Sequence, residues 1–83
     1  MSDEFRCTYV VKEDKWLPVL KQWSGMTPGE RADVGENVRL IGRWHDLVTR
    51  CGVVIVESSD VCAVQRFVGR WNPYLTATIA PVV

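Results

Sequence analysis

The sequence predicts an α+β sandwich, in which one four-stranded antiparallel sheet carries two helices on one face. Four runs are rich in β-branched and aromatic residues, as strands are. Two other segments repeat apolar residues at helical spacing. The resulting order, βαββαβ, is that of the ferredoxin-like sandwich, which two right-handed crossovers build on a single sheet. At 83 residues the chain is expected to form one such domain, residues 1–83.

The first strand is predicted over residues 5–11, where polarity alternates. One of its faces is expected to carry Phe5, Cys7, Tyr9 and Val11.

The first helix is predicted over residues 16–23. Its apolar stripe contains Trp16, Val19, Leu20 and Trp23. Asp14 is the expected N-cap, and Gly25 is expected to end the helix in a left-handed conformation. We expect the tryptophans of this stripe to pack in the core rather than to bind a ligand, because they are in register with aliphatic neighbours.

Residues 26–36 are the least apolar part of the chain and are expected to form a surface connection. Thr27-Pro28-Gly29-Glu30 has the layout of a capping box with proline at the first helical position. This pattern predicts a single helical turn through Ala32, which Gly35 should end.

A hairpin is predicted next, with strands over residues 38–45 and 51–57. The second of these strands is apolar on both faces, through Val53 and Ile55 on one and Val54 and Val56 on the other. Because a solvated sheet face should be polar, this pattern predicts a covered outer face. The covering partner is expected to be a second copy of the chain, so the sequence predicts a homodimer.

The last helix is predicted over residues 61–70, with Asp60 at its N-cap and Asn72-Pro73 after its end. Its buried stripe is expected to contain Val61, Val64, Phe67, Val68 and Trp71. The final strand is predicted over residues 75–83, and Pro81 restricts its far end to a sheet edge or to a departure from the sheet.

Composition argues against several partners and cofactors. Ten basic residues balance ten acidic ones without a basic run, so no nucleic-acid partner is expected. No apolar run approaches the roughly 18 residues of a membrane span, and the acidic start lacks a signal-peptide core, which predicts a cytoplasmic location without membrane partners. Cys7, Cys51 and Cys62 lack the spacing of a metal site, so no metal and no other cofactor are expected, and the thiols are interpreted as small buried residues.

His45 is the candidate catalytic residue, because it is the chain's only histidine and histidine titrates near neutral pH. Arg43 and Tyr9 are the candidate ligand-binding residues. Arg43 should share the strand face of His45, where it can hold a carboxylate or enolate oxygen, and Tyr9 can supply a phenol. Such a group around an aromatic-walled pocket suits proton transfer on a small molecule. In the structural alternative, His45 forms a hydrogen bond with a loop carbonyl, and Arg43 forms an ion pair with Glu57 across the hairpin.

Two neighbours of His45 complete the set of candidates. Trp44 should point away from His45, toward the face of Leu40 and Gly42, where Gly42 leaves room for it or marks a bulge. Cys51 lies across the hairpin, and a Cys51–His45 dyad depends on a register that the sequence leaves open.

The chain resembles the small bacterial proteins grouped as domain of unknown function 3303. The resemblance rests on residues 40–45, on residues 52–57, and on Trp71 before a final strand that ends in residues 78–82. Gly42-Arg43-Trp44-His45 is its most specific part. The resemblance implies a ferredoxin-like fold akin to dimeric α/β barrels. It implies no catalytic residues and no substrate.

Three classes of function follow from these features. The first is a homodimeric module that binds a small apolar or aromatic molecule, or another protein. The second is a cofactor-free enzyme of the dimeric α/β-barrel type, such as a proton-transfer enzyme, isomerase, cyclase or monooxygenase, that uses His45. The third is a structural subunit that docks on another protein through its apolar sheet face. The sequence does not decide whether the protein is an enzyme.

Overall fold

Seven elements follow one another in the computed structural model, which describes residues 2–82. The strands are β1 (Asp3–Val11), β2 (Arg39–Asp46), β3 (Cys51–Ser58) and β4 (Leu75–Pro81). The helices are α1 (Trp16–Ser24), the short α2 (Pro28–Ala32) and α3 (Val61–Gly69). The predicted α+β class and element order are confirmed. Val83, which the prediction included in the last strand, lies outside the described residues.

The sheet has the strand order β2-β3-β1-β4, and each neighbouring pair is antiparallel. The pairing aligns residues in rows across the sheet. One row contains His45, Gly52, Tyr9 and Ala77. The next row on the same face contains Arg43, Val54, Cys7 and Ile79. Both rows belong to the face that α1 and α3 cover, because Val54 and Cys7 are buried in the core beneath the helices. The register therefore brings the three predicted site residues to the covered face.

A β-bulge at Ile41 sets the orientation of β2. Leu40 pairs with Val56, whereas Gly42 pairs with Ile55, so Ile41 is an extra residue. The bulge puts Leu40 on the covered face and Gly42 on the outer face with Trp44. The expectation that Trp44 shares a face with Leu40 is therefore wrong, whereas the expectation that it shares a face with Gly42 is confirmed. A Cβ atom on Gly42 would lie 2.5 Å from the indole of Trp44.

The packed core lies between α3 and the centre of the sheet. Its buried members are Cys7, Val34, Val54, Val56, Val64 and Phe67. Asp60 caps α3 by accepting a hydrogen bond from the Cys62 N–H at 2.9 Å, as predicted. The prediction of Val61 in the buried stripe is wrong: it is 46% exposed at the first helical position, and Ala63 is buried instead. The helix ends at Gly69, two residues before Trp71.

Helix α1 differs from its prediction at both ends. Its N-cap is Lys15 rather than Asp14, and no side chain caps it. Gly25 has φ −79°, so its predicted left-handed conformation is wrong. The chain continues right-handed instead, because the Gly25 N–H still donates to the Lys21 carbonyl and the Met26 N–H donates to the Trp23 carbonyl. Val19 is the one buried residue of α1.

The connection from α1 to β2 is more than a surface loop. Its predicted capping box is confirmed, since the Thr27 N–H donates to Glu30 Oε1 at 2.9 Å and the Glu30 N–H donates to Thr27 Oγ1 at 3.2 Å. Val34, however, is only 6% exposed and belongs to the core, which corrects the surface assignment. Gly35 adopts φ +88° three residues after α2 ends, where glycine is favoured.

Candidate functional site

A cavity of about 440 Å³ lies between α1 and the sheet. Much of its wall is aromatic and is formed by Trp16, Trp23, Phe67, Trp71 and Tyr74. The sheet side of the cavity includes Tyr9, Val11, Val54 and Ala77. The volume lies within the roughly 300–1,000 Å³ of small-molecule pockets. Trp23 and Trp71 were expected to close the core, and the structure instead places them half-buried in the cavity wall.

The aromatic rings form a continuous wall from the sheet to the end of α3. The His45 and Trp23 ring centroids are 5.2 Å apart with an edge-to-face arrangement. Trp23 lies 6.2 Å from Trp71, and Trp71 lies 6.2 Å from Tyr74. These separations fall within the roughly 4.5–7 Å range of interacting aromatic pairs. The cavity is therefore bounded by rigid, apolar surfaces with His45 at one end.

Tyr9 and His45 meet across a gap in the sheet that Gly52 creates. Both pair with Gly52, which is directly between them on β3. A Cβ atom on Gly52 would lie 2.5 Å from Tyr9 Cε2, so only glycine leaves room for the phenol at this position. The Tyr9 hydroxyl forms a hydrogen bond with His45 Nδ1. The alternative in which His45 binds a loop carbonyl is therefore wrong.

The surroundings keep both members of this pair uncharged near neutral pH. Burial of the ring lowers the pKa of His45, and the positive charge of Arg43 lowers it further. His45 as a whole residue is exposed, but its ring contacts Tyr9 and Trp23. Burial raises the pKa of Tyr9, with a further contribution from Cys51 that Arg43 opposes. A neutral imidazole in this position can accept a proton.

Arg43 lies beside the pair and does not form the ion pair with Glu57 that the structural alternative contained. Its Nη1 donates to the Arg31 carbonyl at 2.7 Å, and its Cζ lies 4.5 Å from the centroid of the Trp23 ring. Glu57 instead pairs with Arg39 at 3.1 Å, because the register puts these two residues directly opposite each other. The Arg43 guanidinium is therefore held over the Trp23 ring in the cavity wall.

Arg31 is a second guanidinium at the cavity that the sequence analysis missed. Its Nε and Nη2 donate to the Trp23 carbonyl at 3.2 and 3.0 Å, and its Cζ lies 5.1 Å from the Trp23 ring centroid. The capping box predicted the helical turn that carries Arg31. Nothing in the local pattern indicates that α2 folds back over Trp23, so only the tertiary structure reveals the residue.

The cysteines do not extend the site. Cys51 precedes Gly52 on β3 and so faces away from the Tyr9–His45 pair, which makes the Cys51–His45 dyad wrong. Its Sγ lies 2.9 Å from Thr49 Oγ1. Cys7 is buried, and burial raises the pKa of its thiol to about 11. Cys62 is exposed, which corrects the expectation that all three thiols are buried.

Between residues 2 and 82, His, Cys, Asp and Glu side chains form no group of three or more that could hold a metal ion. Over the same residues, no helix has the length and apolar character needed to cross a bilayer.

The family described as Domain of unknown function (DUF3303) matches residues 3–83. The chain therefore belongs to this family, as the resemblance predicted. No curated protein matches the chain.

Among solved structures, the chain is similar to an uncharacterized NIPSNAP domain protein from Burkholderia xenovorans. The identity is 22%, the TM-score is 0.56, and the match covers 100% of this chain and 93% of the other. At this identity the likeness concerns the fold alone, and it agrees with the ferredoxin-like sandwich.

Proposed function

We propose that this member of the family is a small-molecule-binding module, and that one apolar or aromatic molecule occupies the cavity beneath α1. The observation that supports this proposal most strongly is the cavity of about 440 Å³, with aromatic walls and with Arg31, Arg43 and His45 grouped around Trp23. That combination is typical of ligand pockets, in which apolar walls contribute affinity and a few polar groups fix orientation. Tyr9 and Arg43 are the proposed ligand-binding residues, and His45 lies beside them.

Titration of ¹⁵N-labelled protein with 2-naphthamide, a neutral bicyclic aromatic, tests this proposal. We expect saturable shifts of the Trp23 and Trp71 indole signals. Ala77→Leu should abolish them, because Ala77 is on the sheet side of the cavity and the larger side chain reduces the volume of the cavity. Ala32→Leu makes the same change at an exposed residue outside the cavity and should leave binding intact. Equal binding by both variants, or no binding by the unmodified chain, would contradict the proposal.

The second candidate function is proton transfer on a bound molecule. The neutral His45 bonded to Tyr9 at the cavity favours it. In the tautomer with a proton on Nδ1, His45 donates a hydrogen bond to the Tyr9 oxygen. The Tyr9 O–H is then free to donate to a substrate oxygen, and His45 Nε2 is free to accept a proton. A carbon acid would then lose its proton to Nε2, while Tyr9 stabilises the resulting enolate oxygen. No cofactor enters these steps.

Deuterium exchange at C1 of 2-tetralone in D₂O tests this second candidate. If it is right, the protein accelerates the exchange, His45→Gln abolishes the acceleration, and Tyr9→Phe reduces it. The glutamine retains a hydrogen-bonding group but cannot act as the base. Binding of 2-naphthamide by His45→Gln provides the control for an intact cavity. Exchange that proceeds unchanged in His45→Gln would rule out the enzymatic role.

We also propose that two copies associate through the outer face of the sheet. Trp44 is 61% exposed and Val10 is 58% exposed on that face, and Val53 and Ile55 lie between them. A monomeric soluble protein rarely exposes a contiguous apolar patch of this kind. Pairing of identical faces about a two-fold axis would cover both copies at once.

Sedimentation equilibrium of the unmodified chain and of two variants tests the dimer. Trp44→Glu should give a monomer, because it places a charge within the proposed interface. Leu17→Glu changes an apolar residue that is 75% exposed on α1 and should remain dimeric. A monomeric mass for the unmodified chain at micromolar concentration would contradict the proposal.

A cytoplasmic location is the last part of the proposed function. The three free cysteines favour it, because a reducing compartment keeps such thiols unpaired. Cell fractionation with a tagged chain would test it, and recovery from an oxidising compartment would contradict it.

A further inference from the structure

We infer that the ligand of the cavity is an amphiphilic carboxylic acid, with its carboxylate held by Arg31 and Arg43 and its apolar part between the aromatic walls. This inference rests on the proposed binding function and specifies the class of ligand. Three independent features of the described residues support it: the unused donors of the two guanidiniums, the engagement of the nearby acids, and the apolar remainder of the cavity.

The first feature is the free hydrogen-bonding capacity of the two arginines. A guanidinium carries five N–H donors. Arg43 donates from Nη1 to the Arg31 carbonyl, and Arg31 donates from Nε and Nη2 to the Trp23 carbonyl. Most of their donors therefore have no acceptor among residues 2–82. Both guanidiniums lie near the Trp23 ring, which holds them in place and lowers the entropy lost on binding an anion.

The second feature is the absence of a counter-ion. Neither arginine forms an ion pair with a carboxylate among the described residues. Three acids do line the cavity, but each is bound to backbone donors of its own turn. Glu30 accepts from the Thr27 N–H, Asp33 from the Gly35 N–H, and Asp46 from the Val48 and Thr49 N–H groups. The acids therefore leave the donors of Arg31 and Arg43 available to an external anion.

The third feature is the composition of the rest of the cavity. Toward the end of α3 the lining includes the apolar residues Phe67, Val68 and Trp71. Arg70 also lines this part, and its Nη1 donates to the Asp33 carbonyl at 3.1 Å. A simple inorganic anion would leave this surface unfilled, and a plain hydrocarbon would leave the guanidiniums solvated by water alone. An aromatic or branched aliphatic acid satisfies both ends.

Comparison of 2-naphthoate with 2-naphthamide by titration calorimetry tests the inference. The two probes have the same rings and nearly the same size, and at neutral pH they differ in charge. We expect 2-naphthoate to bind at least about 10-fold more tightly, in keeping with a charge-assisted hydrogen bond at a partly exposed site. The advantage should decrease as salt is added, since salt screens the attraction.

Three matched variants locate the effect. Arg31→Gln and Arg43→Gln should each remove most of the preference for 2-naphthoate, measured as the ratio of its affinity to that of 2-naphthamide, because a contact that both probes share cancels in this ratio. Arg39→Gln removes the same charge from the Arg39–Glu57 pair, outside the cavity, and should retain the preference. Retained 2-naphthamide binding also shows that each variant still folds with its cavity intact.

Each outcome bears on a different claim. Tighter binding of 2-naphthoate that depends on Arg31 and Arg43 supports the carboxylate site. Equal affinity for the two probes overturns the carboxylate site and leaves the apolar binding function standing. Binding of neither probe overturns both. A preference that Arg39→Gln removes as effectively as Arg43→Gln would also overturn the site, because the effect would then reflect overall charge.

Discussion

The two longer helices cover the same face of the sheet but pack on it in different ways. Helix α3 lies directly on β3 and places Ala63, Val64 and Phe67 in contact with a dense core. In α1 only Val19 is buried, and the helix encloses a cavity of about 440 Å³ against the same sheet. We therefore distinguish a packed half of the molecule, formed by α3 and the strands beneath it, from a cavity half, formed by α1 and the strands beneath it.

The difference follows from the size of the residues on each helix. Alanine and valine allow the backbone of α3 to approach the strands closely, so that no room remains. Trp16 and Trp23 are too large for such an approach, and they act as walls that separate α1 from the sheet. Two amphipathic stripes of similar spacing thus produce a core in one place and a pocket in the other.

Truncation in the two halves should have unequal effects, and this is the largest difference we expect. Phe67→Ala should lower the free energy of unfolding by about 3–5 kcal/mol, because the ring is 9% exposed and packs among the core residues, although one side of it also borders the cavity. Trp71→Ala should cost about half as much, because its side chain is half-buried and already borders open space. Urea denaturation measures both values. Equal losses would show that the two halves are packed alike.

A methyl group at Gly52 should damage the cavity half selectively. Gly52→Ala places a Cβ 2.5 Å from both the Tyr9 ring and the Trp44 carbonyl oxygen, so we expect a loss of about 1–3 kcal/mol in stability. The Tyr9–His45 hydrogen bond should break, and naphthyl probes should bind more weakly. Gly29→Ala is the control, since its Cβ would meet nothing closer than Thr27 Oγ1 at 3.9 Å. Unchanged binding by Gly52→Ala would show that the Tyr9–His45 contact does not shape the cavity.

Loss of a buried hydroxyl should affect the packed half alone. Ser58 Oγ donates to the Asn37 carbonyl at 2.5 Å and accepts from the Asp60 N–H at 3.0 Å, which ties the connection before β2 to the start of α3. Ser58→Ala should therefore cost about 1–2 kcal/mol without altering probe affinity. Ser59→Ala removes an exposed hydroxyl and should cost almost nothing. A loss of affinity in Ser58→Ala would mean that the two halves are coupled.

The smallest expected effect concerns the charge of His45. Its pKa lies below the value of about 6.5 for a free histidine, through burial first and the Arg43 charge second. The unfolded chain therefore binds the proton at higher pH, and His45 destabilises the fold as the pH falls through 6.5 toward its folded pKa. Arg43→Gln removes the positive charge that faces the ring and should raise the pKa. Tyr9 and Trp23, which also contact the ring, remain uncharged near neutral pH.

NMR titration of the His45 ring protons measures this shift. Arg39→Gln, which removes a charge outside the cavity, should leave the His45 pKa unchanged. A pKa that Arg43→Gln does not raise would show that the guanidinium exerts no influence on the imidazole.

The sequence predicted the fold because each element has a local cause. Apolar spacing identified α1 and α3, the capping box identified α2, and runs of β-branched and aromatic residues identified the strands. It also placed Arg43 and His45 on one face of β2. The ends of α1 were mispredicted, since the turn after Gly25 depends on where the next segment packs.

The site was predicted only in part because it depends on distances between elements. No local pattern shows that Gly52 separates Tyr9 from His45, since that requires the register of three strands. Arg31 was missed for the same reason. The tryptophan stripes were correctly identified as inward-facing, but whether an inward tryptophan fills a core or walls a cavity depends on the separation of the helix from the sheet.

Intermolecular NOEs between bound 2-naphthamide and the protein test most directly the claim that the space beneath α1 is a binding site. We expect NOEs to the Ala77 methyl group and to the Trp23 and Trp71 indoles. Contacts confined to Trp44 and Val53 on the outer face would contradict it, because they would show that the probe binds the exposed apolar patch and leaves the cavity unused.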